Sequence, residues 1–63
     1  MLSENLKKIR EDKGLSKSKL ASLSGIHRQT IRFIEDGITT NTGLETINAL
    51  AKGLNVSVNE LLK

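Results

Sequence analysis

The sequence predicts an all-α fold made of five short helices. Apolar residues recur at the spacing of one helical face in five successive segments. Residues suited to helix capping precede most of these segments, and glycine or asparagine follows most of them. Strand-like alternation is confined to residues 56–58, where a capping pattern explains the residues better. Because the connections are short, we expect residues 1–63 to form one compact domain.

The first helix is predicted to begin at a cap on Ser3 and to end near residue 13. Its apolar face consists of Leu2, Leu6 and Ile9, which are spaced i, i+4 and i+7. Gly14 follows the last turn, and glycine commonly ends a helix at this position because it tolerates the left-handed conformation. The segment is therefore predicted to bury one face and expose the other.

The second and third helices are predicted to be joined by a tight turn at Ser24-Gly25-Ile26. Ser16 is a favourable N-cap for the second helix, which we expect to end near Ser24. The third helix is predicted over residues 28–36, with Gly37 closing it. These elements are predicted to share one continuous apolar face, formed by Leu20, Leu23, Ile26, Ile31 and Ile34.

The fourth helix is predicted to follow the uncharged polar loop at residues 38–41. Thr42 or Asn41 is the predicted cap, and Glu45 stands at capping-box distance from Thr42. A helical apolar stripe follows, and Gly53 and Asn55 are predicted to end the helix.

The fifth helix begins with the fullest capping pattern in the chain. Ser57 and Glu60 have the spacing of a capping box, and Val56 and Leu61 have the spacing of a hydrophobic staple. The pattern predicts a short helix that reaches the end of the sequence.

The composition excludes several classes of protein. The chain has no cysteine and a single histidine, so we expect neither a disulfide nor a metal site. No nucleophile–base pair and no phosphate-cradling glycine loop are present, so we expect no enzyme and no cofactor. The first residues lack a signal-peptide pattern, and no apolar run is long enough to span a membrane. We therefore expect a cytoplasmic protein.

The charge distribution is compatible with a polyanionic partner. The net charge is +3, of which residues 1–14 carry +1, residues 15–37 carry +2 and residues 38–63 carry none. The excess therefore surrounds the second and third helices. Many domains show a similar asymmetry, so the charge alone does not identify the partner.

The third helix has a polar face that suits recognition of DNA bases. At 100° per residue, Ile31 and Ile34 share one side, and Arg28, Gln29, Arg32 and Phe33 lie on or near the other. Arginine can bind guanine O6 and N7, and glutamine can bind adenine N6 and N7. The alternative is an ordinary solvated face. For Phe33, packing against the fourth helix remains equally open.

The pattern A-x-x-x-G-I-x-x-x-x-I-x-x-I-E-x-G extends from Ala21 to Gly37 and lies within the five-helix arrangement. With it, and with matching apolar positions in the other helices, the chain resembles the lambda-repressor-like helix-turn-helix family over about residues 2–62. This family contains phage repressors, Cro proteins and xenobiotic-response-element regulators. Two departures are His27 at the cap of the third helix and the absence of lysine and arginine from residues 38–41.

The resemblance implies a transcriptional regulator, most simply a repressor, whose third helix enters the major groove of double-stranded DNA. Its implied base contacts are Arg28, Gln29, Thr30, Arg32 and Phe33. Its implied phosphate contacts are Ser16, Lys17, Ser18, Thr39, Thr40 and Asn41. It also implies a structural ion pair between Arg10 and Glu35, which would join helices 1 and 3.

A weak homodimer that tightens on DNA is expected through helices 4 and 5, with Val58, Leu61 or Leu62 at the contact. No small-molecule ligand is expected. Two other interpretations remain open. The domain can serve as a protein-binding module such as an antitoxin, or it can be the DNA-binding half of a longer regulator.

Overall fold

The computed structural model describes residues 2–63, and within this range it contains the five predicted helices. They are α1 (Leu2–Asp12), α2 (Lys17–Ser24), α3 (Arg28–Glu35), α4 (Leu44–Leu54) and α5 (Val58–Leu62). Turns and loops connect them, so the all-α prediction is confirmed. None of the helices in residues 2–63 is long and apolar enough to cross a membrane.

Residues from all five helices form the hydrophobic core. α2 packs against α3 and α4, while α1 packs against α3 and α5. Leu23 does not join this core and is 50% exposed, contrary to the predicted continuous face. It is rotated by about 60° from Leu20 around the helix axis, away from the buried side. The buried apolar residues are Leu6, Leu20, Ile31, Ile34, Ile47, Leu50, Ala51, Leu54 and Leu61.

α1 begins earlier than its sequence pattern predicts. Leu2 is already helical, so Ser3 lies inside α1 and the predicted cap at Ser3 is wrong. α1 ends at Asp12, and Gly14 follows with a positive φ of 68°. The predicted helix stop at Gly14 is therefore confirmed.

The predicted capping box of α4 is wrong. The helix begins at Leu44, and its N-cap is Gly43, which makes no side-chain capping bond. Asn41 and Thr42 therefore precede the cap, and Glu45 stands one position too early to close a capping box. The Thr42 hydroxyl is buried and has no hydrogen-bond partner among the described residues.

Gly53 lies within α4 and does not end it, contrary to prediction. Asn55 ends the helix in the left-handed conformation, with φ 58°. A Cβ atom added at Gly53 would lie 2.9 Å from Ser24 Cβ and 3.2 Å from Leu20 Cδ1. The glycine therefore permits the close approach of α2 to α4.

α5 is held at both ends by side-chain hydrogen bonds. The Ser57 hydroxyl accepts from the Glu60 amide at 3.1 Å, and both bonds of the predicted capping box are present. At the other end, the Asn5 side-chain amide donates to the carbonyl oxygens of Leu61 and Lys63, each at 3.1 Å. α1 therefore fixes the C-terminal end of α5.

Candidate nucleic-acid interface

The turn between α2 and α3 is stabilised by Ser24 and Gly25. Gly25 has a φ of 75°, and its amide donates to the Ala21 carbonyl at 2.9 Å. The Ser24 hydroxyl donates to the Leu20 carbonyl at 2.7 Å and accepts from the Ile26 amide at 3.2 Å. Ser24 therefore fixes the direction in which the chain leaves α2, a role that its sequence position alone did not indicate.

The N-terminus of α2 has the predicted cap. The Ser16 hydroxyl accepts from the Lys19 amide at 3.0 Å, and Ser16 has an extended backbone. Ser16 and Ser18 are exposed, and Lys17 is half-buried. Amide groups at such a helix end carry a partial positive charge that favours anions.

The polar face of α3 and the start of α2 form one open concavity. Its volume is about 430 Å³, and it is lined by Lys17, Arg28, Gln29 and Arg32. On the opposite side of α3, Ile31 and Ile34 are buried in the core. Three cationic side chains and one amide side chain therefore share one surface, and the opposite side of α3 packs into the hydrophobic core.

Thr30 and Phe33 are both half-buried and are not among the residues that line this concavity. The Phe33 carbonyl accepts from the amides of Ile38 and Thr39, at 2.9 and 3.1 Å. The backbone of Phe33 therefore joins α3 to the loop that follows. By helical arithmetic its side chain lies about 100° from that of Arg32, at the margin of the polar face.

The predicted phosphate contacts after α3 lie apart from the concavity. Thr39 is half-buried, whereas Thr40 and Asn41 are exposed. Thr39 and Thr40 line a second, more apolar depression of about 340 Å³, together with Leu2 and Ser3. The structure thus places Thr39 and Thr40 at a different depression from Arg28, Gln29 and Arg32.

Arg10 and Glu35 form a buried ion pair between α1 and α3. Arg10 Nε and Nη2 donate to the two carboxylate oxygens of Glu35 at 2.7 and 3.1 Å. Arg10 Nη1 also donates to the Leu15 carbonyl at 2.7 Å, just before α2. The hydrogen bond with Glu35 raises the pKa of Arg10 above its ordinary value. One guanidinium therefore joins α1, the start of α2 and the end of α3.

α3 begins and ends with exposed ionisable residues. His27 is the N-cap but makes no side-chain capping bond. At the other end, Arg32 Nε lies 3.6 Å from Asp36 Oδ2, and these two side chains are 62% and 49% exposed. The spacing of four residues is a sequence signal for this second pair.

The predicted dimer contacts on α5 differ in accessibility. Leu61 is completely buried in the core, so it cannot contact a second copy, and this part of the prediction is wrong. Val58 is half-buried and packs against the core, whereas Leu62 is 46% exposed. On α4, Leu44 is 64% exposed.

Comparisons with known proteins agree with this geometry. A family model described as "Helix-turn-helix" matches residues 6–61. The control protein C.SmaI of Serratia marcescens is 42% identical over 62 residues, a match that covers 98% of this chain and 73% of that protein. The transcriptional regulator SinR of Bacillus subtilis strain 168 is 32% identical over 62 residues, again 98% of this chain but 56% of SinR.

Two solved structures share the fold. The restriction-modification controller protein C.AhdI from Aeromonas hydrophila superimposes with a TM-score of 0.90 and 37% identity, covering 95% of this chain and 89% of C.AhdI. SinR in complex with DNA superimposes with a TM-score of 0.94 and 32% identity over the whole of both chains. The names of these relatives describe regulators rather than enzymes.

Proposed function

This chain belongs to the helix-turn-helix family, and we propose that it is a transcriptional regulator, most simply a repressor, that binds specific sequences of double-stranded DNA. The observation that carries this proposal is the concavity formed by Lys17, Arg28, Gln29 and Arg32. It combines positive charge, which attracts the phosphates of the DNA backbone, with side chains that suit hydrogen bonds to base edges. We propose that the protein acts in the cytoplasm.

We propose that α3 lies in the major groove. The groove is about 12 Å wide and accepts a helix. Arg28 and Gln29 belong to the first turn of α3 and are exposed, with Arg32 one turn later, and this exposure supports the proposal that they contact bases. Phe33, at the margin of this face, and Thr30, which lies about 60° farther around the helix toward its buried side, are proposed to make apolar contact with thymine methyl groups.

Two polar segments flank α3 and suit contacts to phosphate. At the start of α2, the backbone amides and the Lys17 ammonium favour an anion. Beyond α3, the hydroxyl and amide side chains of residues 39–41 form the second segment. Because the second segment has no cation, its contribution to affinity is smaller. The proposed phosphate contacts are Ser16, Lys17, Ser18, Thr39, Thr40 and Asn41.

The size of the domain favours DNA binding as a pair. The molecule extends over 24 × 23 × 19 Å, whereas successive half-sites on one DNA face are about 34 Å apart. One copy therefore covers a single half-site, and a single module buries only about 600–1,000 Å². We propose a weak homodimer through α4 and α5, in which Leu62 supplies exposed apolar surface.

Residues 1–63 are proposed to be the DNA-binding unit. The chain spans just over half the length of SinR, at 56%. A longer regulator that contains this unit would use α3 in the same way.

The proposal is tested by selection from a randomised duplex pool, followed by salt titrations of the enriched sequence and a scrambled duplex. Arg28→Ala and Gln29→Ala should each reduce selectivity by about 5- to 150-fold, the range for a lost bidentate base contact. Lys8→Ala is the matched control because it removes an exposed cation from α1, outside both the concavity and the proposed dimer contact. It should leave selectivity unchanged.

The salt dependence separates base contacts from general attraction. If the variants lose selectivity but keep a similar salt slope, α3 contacts bases. If the selection enriches no sequence and binding is lost near physiological salt, the proposal is contradicted. The protein would then bind DNA only through general electrostatic attraction.

A further inference from the structure

Asp36 is an anion at a position that disfavours anions. It is the C-cap of α3, where the helix dipole places partial negative charge. By helical arithmetic it lies about 40° from Arg32 and about 20° from Gln29 around the axis, on the polar face. A carboxylate there also opposes the approach of phosphate groups. Its neighbour Glu35, by contrast, is turned inward to Arg10.

The cation that faces Asp36 is Arg32. The Asp36 carboxylate lies 3.6 Å from the Nε atom of Arg32. At this distance the contact is an ion pair without a hydrogen bond, and Nε is the atom of Arg32 that lies beside the carboxylate. The outer edge of the guanidinium, which carries the two parallel donors that match guanine O6 and N7, therefore stays free. The attraction of Asp36 therefore favours this arrangement of Arg32 without using the donors that contact a base.

From this geometry we infer that Asp36 is a positioning residue that makes Arg32 select a base edge over the DNA backbone. This inference rests on the proposed function, because it requires α3 to enter the groove. In the free protein the pair is exposed and weak. In the groove, water is excluded and the carboxylate must keep its partner, so the pair becomes stronger.

The Asp36 carboxylate disfavours the non-specific complex, in which Arg32 contacts a phosphate instead of a base. If Arg32 turns to a phosphate, Asp36 is left without its cation beside a polyanion, and that arrangement is unfavourable. If Arg32 contacts a guanine, Asp36 keeps the ion pair. The carboxylate therefore weakens non-specific binding more than specific binding, at the expense of total affinity.

The test compares Asp36→Asn with Asp12→Asn. Asp12 is the last residue of α1 and is also exposed, so the control removes the same charge from a similar helix end. Each variant is titrated with the sequence that the wild type enriches and with a scrambled duplex, at several salt concentrations. Asp36→Glu, which keeps the carboxylate, should retain most of the wild-type selectivity.

Asp36→Asn is expected to bind the scrambled duplex several-fold more tightly and with a salt slope steeper by about 0.9, which corresponds to one added phosphate contact. Its selectivity ratio should fall by about fivefold or more, the lower limit for one bidentate base contact. In the Arg32→Ala background, Asp36→Asn should leave the selectivity ratio unchanged.

Three outcomes would overturn the inference. The first is that Asp36→Asn and Asp12→Asn have equal effects on selectivity, so that only total charge matters. The second is that the effect of Asp36→Asn persists without Arg32. In both cases the proposed function stands if the wild type enriches a sequence. Third, if the wild type enriches none, the proposed function and this inference fail together.

Discussion

Substituting Glu35 with alanine should destabilise the fold far more than substituting Arg32, although each residue forms one ion pair. The Glu35 side chain is 1% exposed, and its partner Arg10 is 9% exposed. Glu35→Ala leaves two guanidinium donors and a full charge without a partner in the interior. Breaking a buried pair in this way costs about 3–5 kcal/mol. The pair of Arg32 with Asp36 is exposed at 3.6 Å, and such pairs contribute about 0.5 kcal/mol or less.

The difference is large relative to the stability of a small domain. At about 0.05–0.15 kcal/mol per residue, the 63 residues give a free energy of unfolding of about 3–9 kcal/mol. Each kcal/mol shifts the melting temperature of such a domain by about 4–8 °C. Glu35→Ala should therefore lower it by about 12 °C or more, and Arg32→Ala by about 4 °C or less. Thermal unfolding followed by circular dichroism measures both values.

A double variant distinguishes an unpaired charge from lost packing. In Arg10→Met/Glu35→Leu no buried charge remains, and apolar replacement of a buried pair is often neutral or stabilising. This variant should melt well above Glu35→Ala.

The stability that the Arg10–Glu35 pair contributes should not depend on pH near neutrality. Because the Glu35 hydrogen bond raises the pKa of Arg10, the stabilisation from this pair is complete below the ordinary arginine pKa and is lost only above it. The stability difference between wild type and Glu35→Ala should thus stay constant from about pH 7 to 10. Equal melting temperatures for Glu35→Ala and Arg32→Ala would refute the reasoning.

Two further predictions concern packing and assembly. Gly53→Ala should lower stability by up to about 2 kcal/mol in urea unfolding, because displacing Ser24 costs about 1–3 kcal/mol and the gain in helix propensity returns only about 1 kcal/mol. Asn48→Ala, at an exposed position of the same helix, is its control, and a stabilised Gly53→Ala would contradict the close contact. Leu62→Lys should weaken the proposed dimer on DNA in sedimentation velocity, whereas Leu23→Lys, at a similarly exposed leucine on α2, should not. A wild type that remains monomeric both with and without the enriched duplex would refute the dimer.

Local patterns predicted the helices and several of their ends because the relevant contacts are local. Ser16 and Ser57 cap helices whose amides lie three residues away, so sequence spacing contains the whole interaction. The start of α4 was mispredicted because Gly43, without a side chain to cap, takes the extended conformation. In sequence Gly53 is typical of a helix end, and only the position of α2 shows that this glycine lies at the contact between α2 and α4.

The candidate site was predictable to a similar degree. Helical arithmetic grouped Arg28, Gln29 and Arg32, since all three lie on one helix. The inclusion of Lys17 in the same concavity depends on the angle between α2 and α3, which no spacing within one helix contains. Leu61 was misassigned for a related reason. Its burial depends on how α5 packs against α1 and α4, which are distant or separate elements of the sequence.

The end of α3 shows how this small domain separates stability from recognition. Glu35 and Asp36 are adjacent acids, and each lies beside an arginine, yet one pair is buried and the other is exposed. The buried pair joins α1 to α3 and, through Leu15, to the start of α2, so it holds the two helices of the candidate interface in one orientation. The exposed pair adds little to folding, and its proposed role is to keep Arg32 directed toward a base edge when DNA is bound. Substitutions at Asp36 should therefore change binding with little effect on stability, whereas substitutions at Glu35 should change stability first.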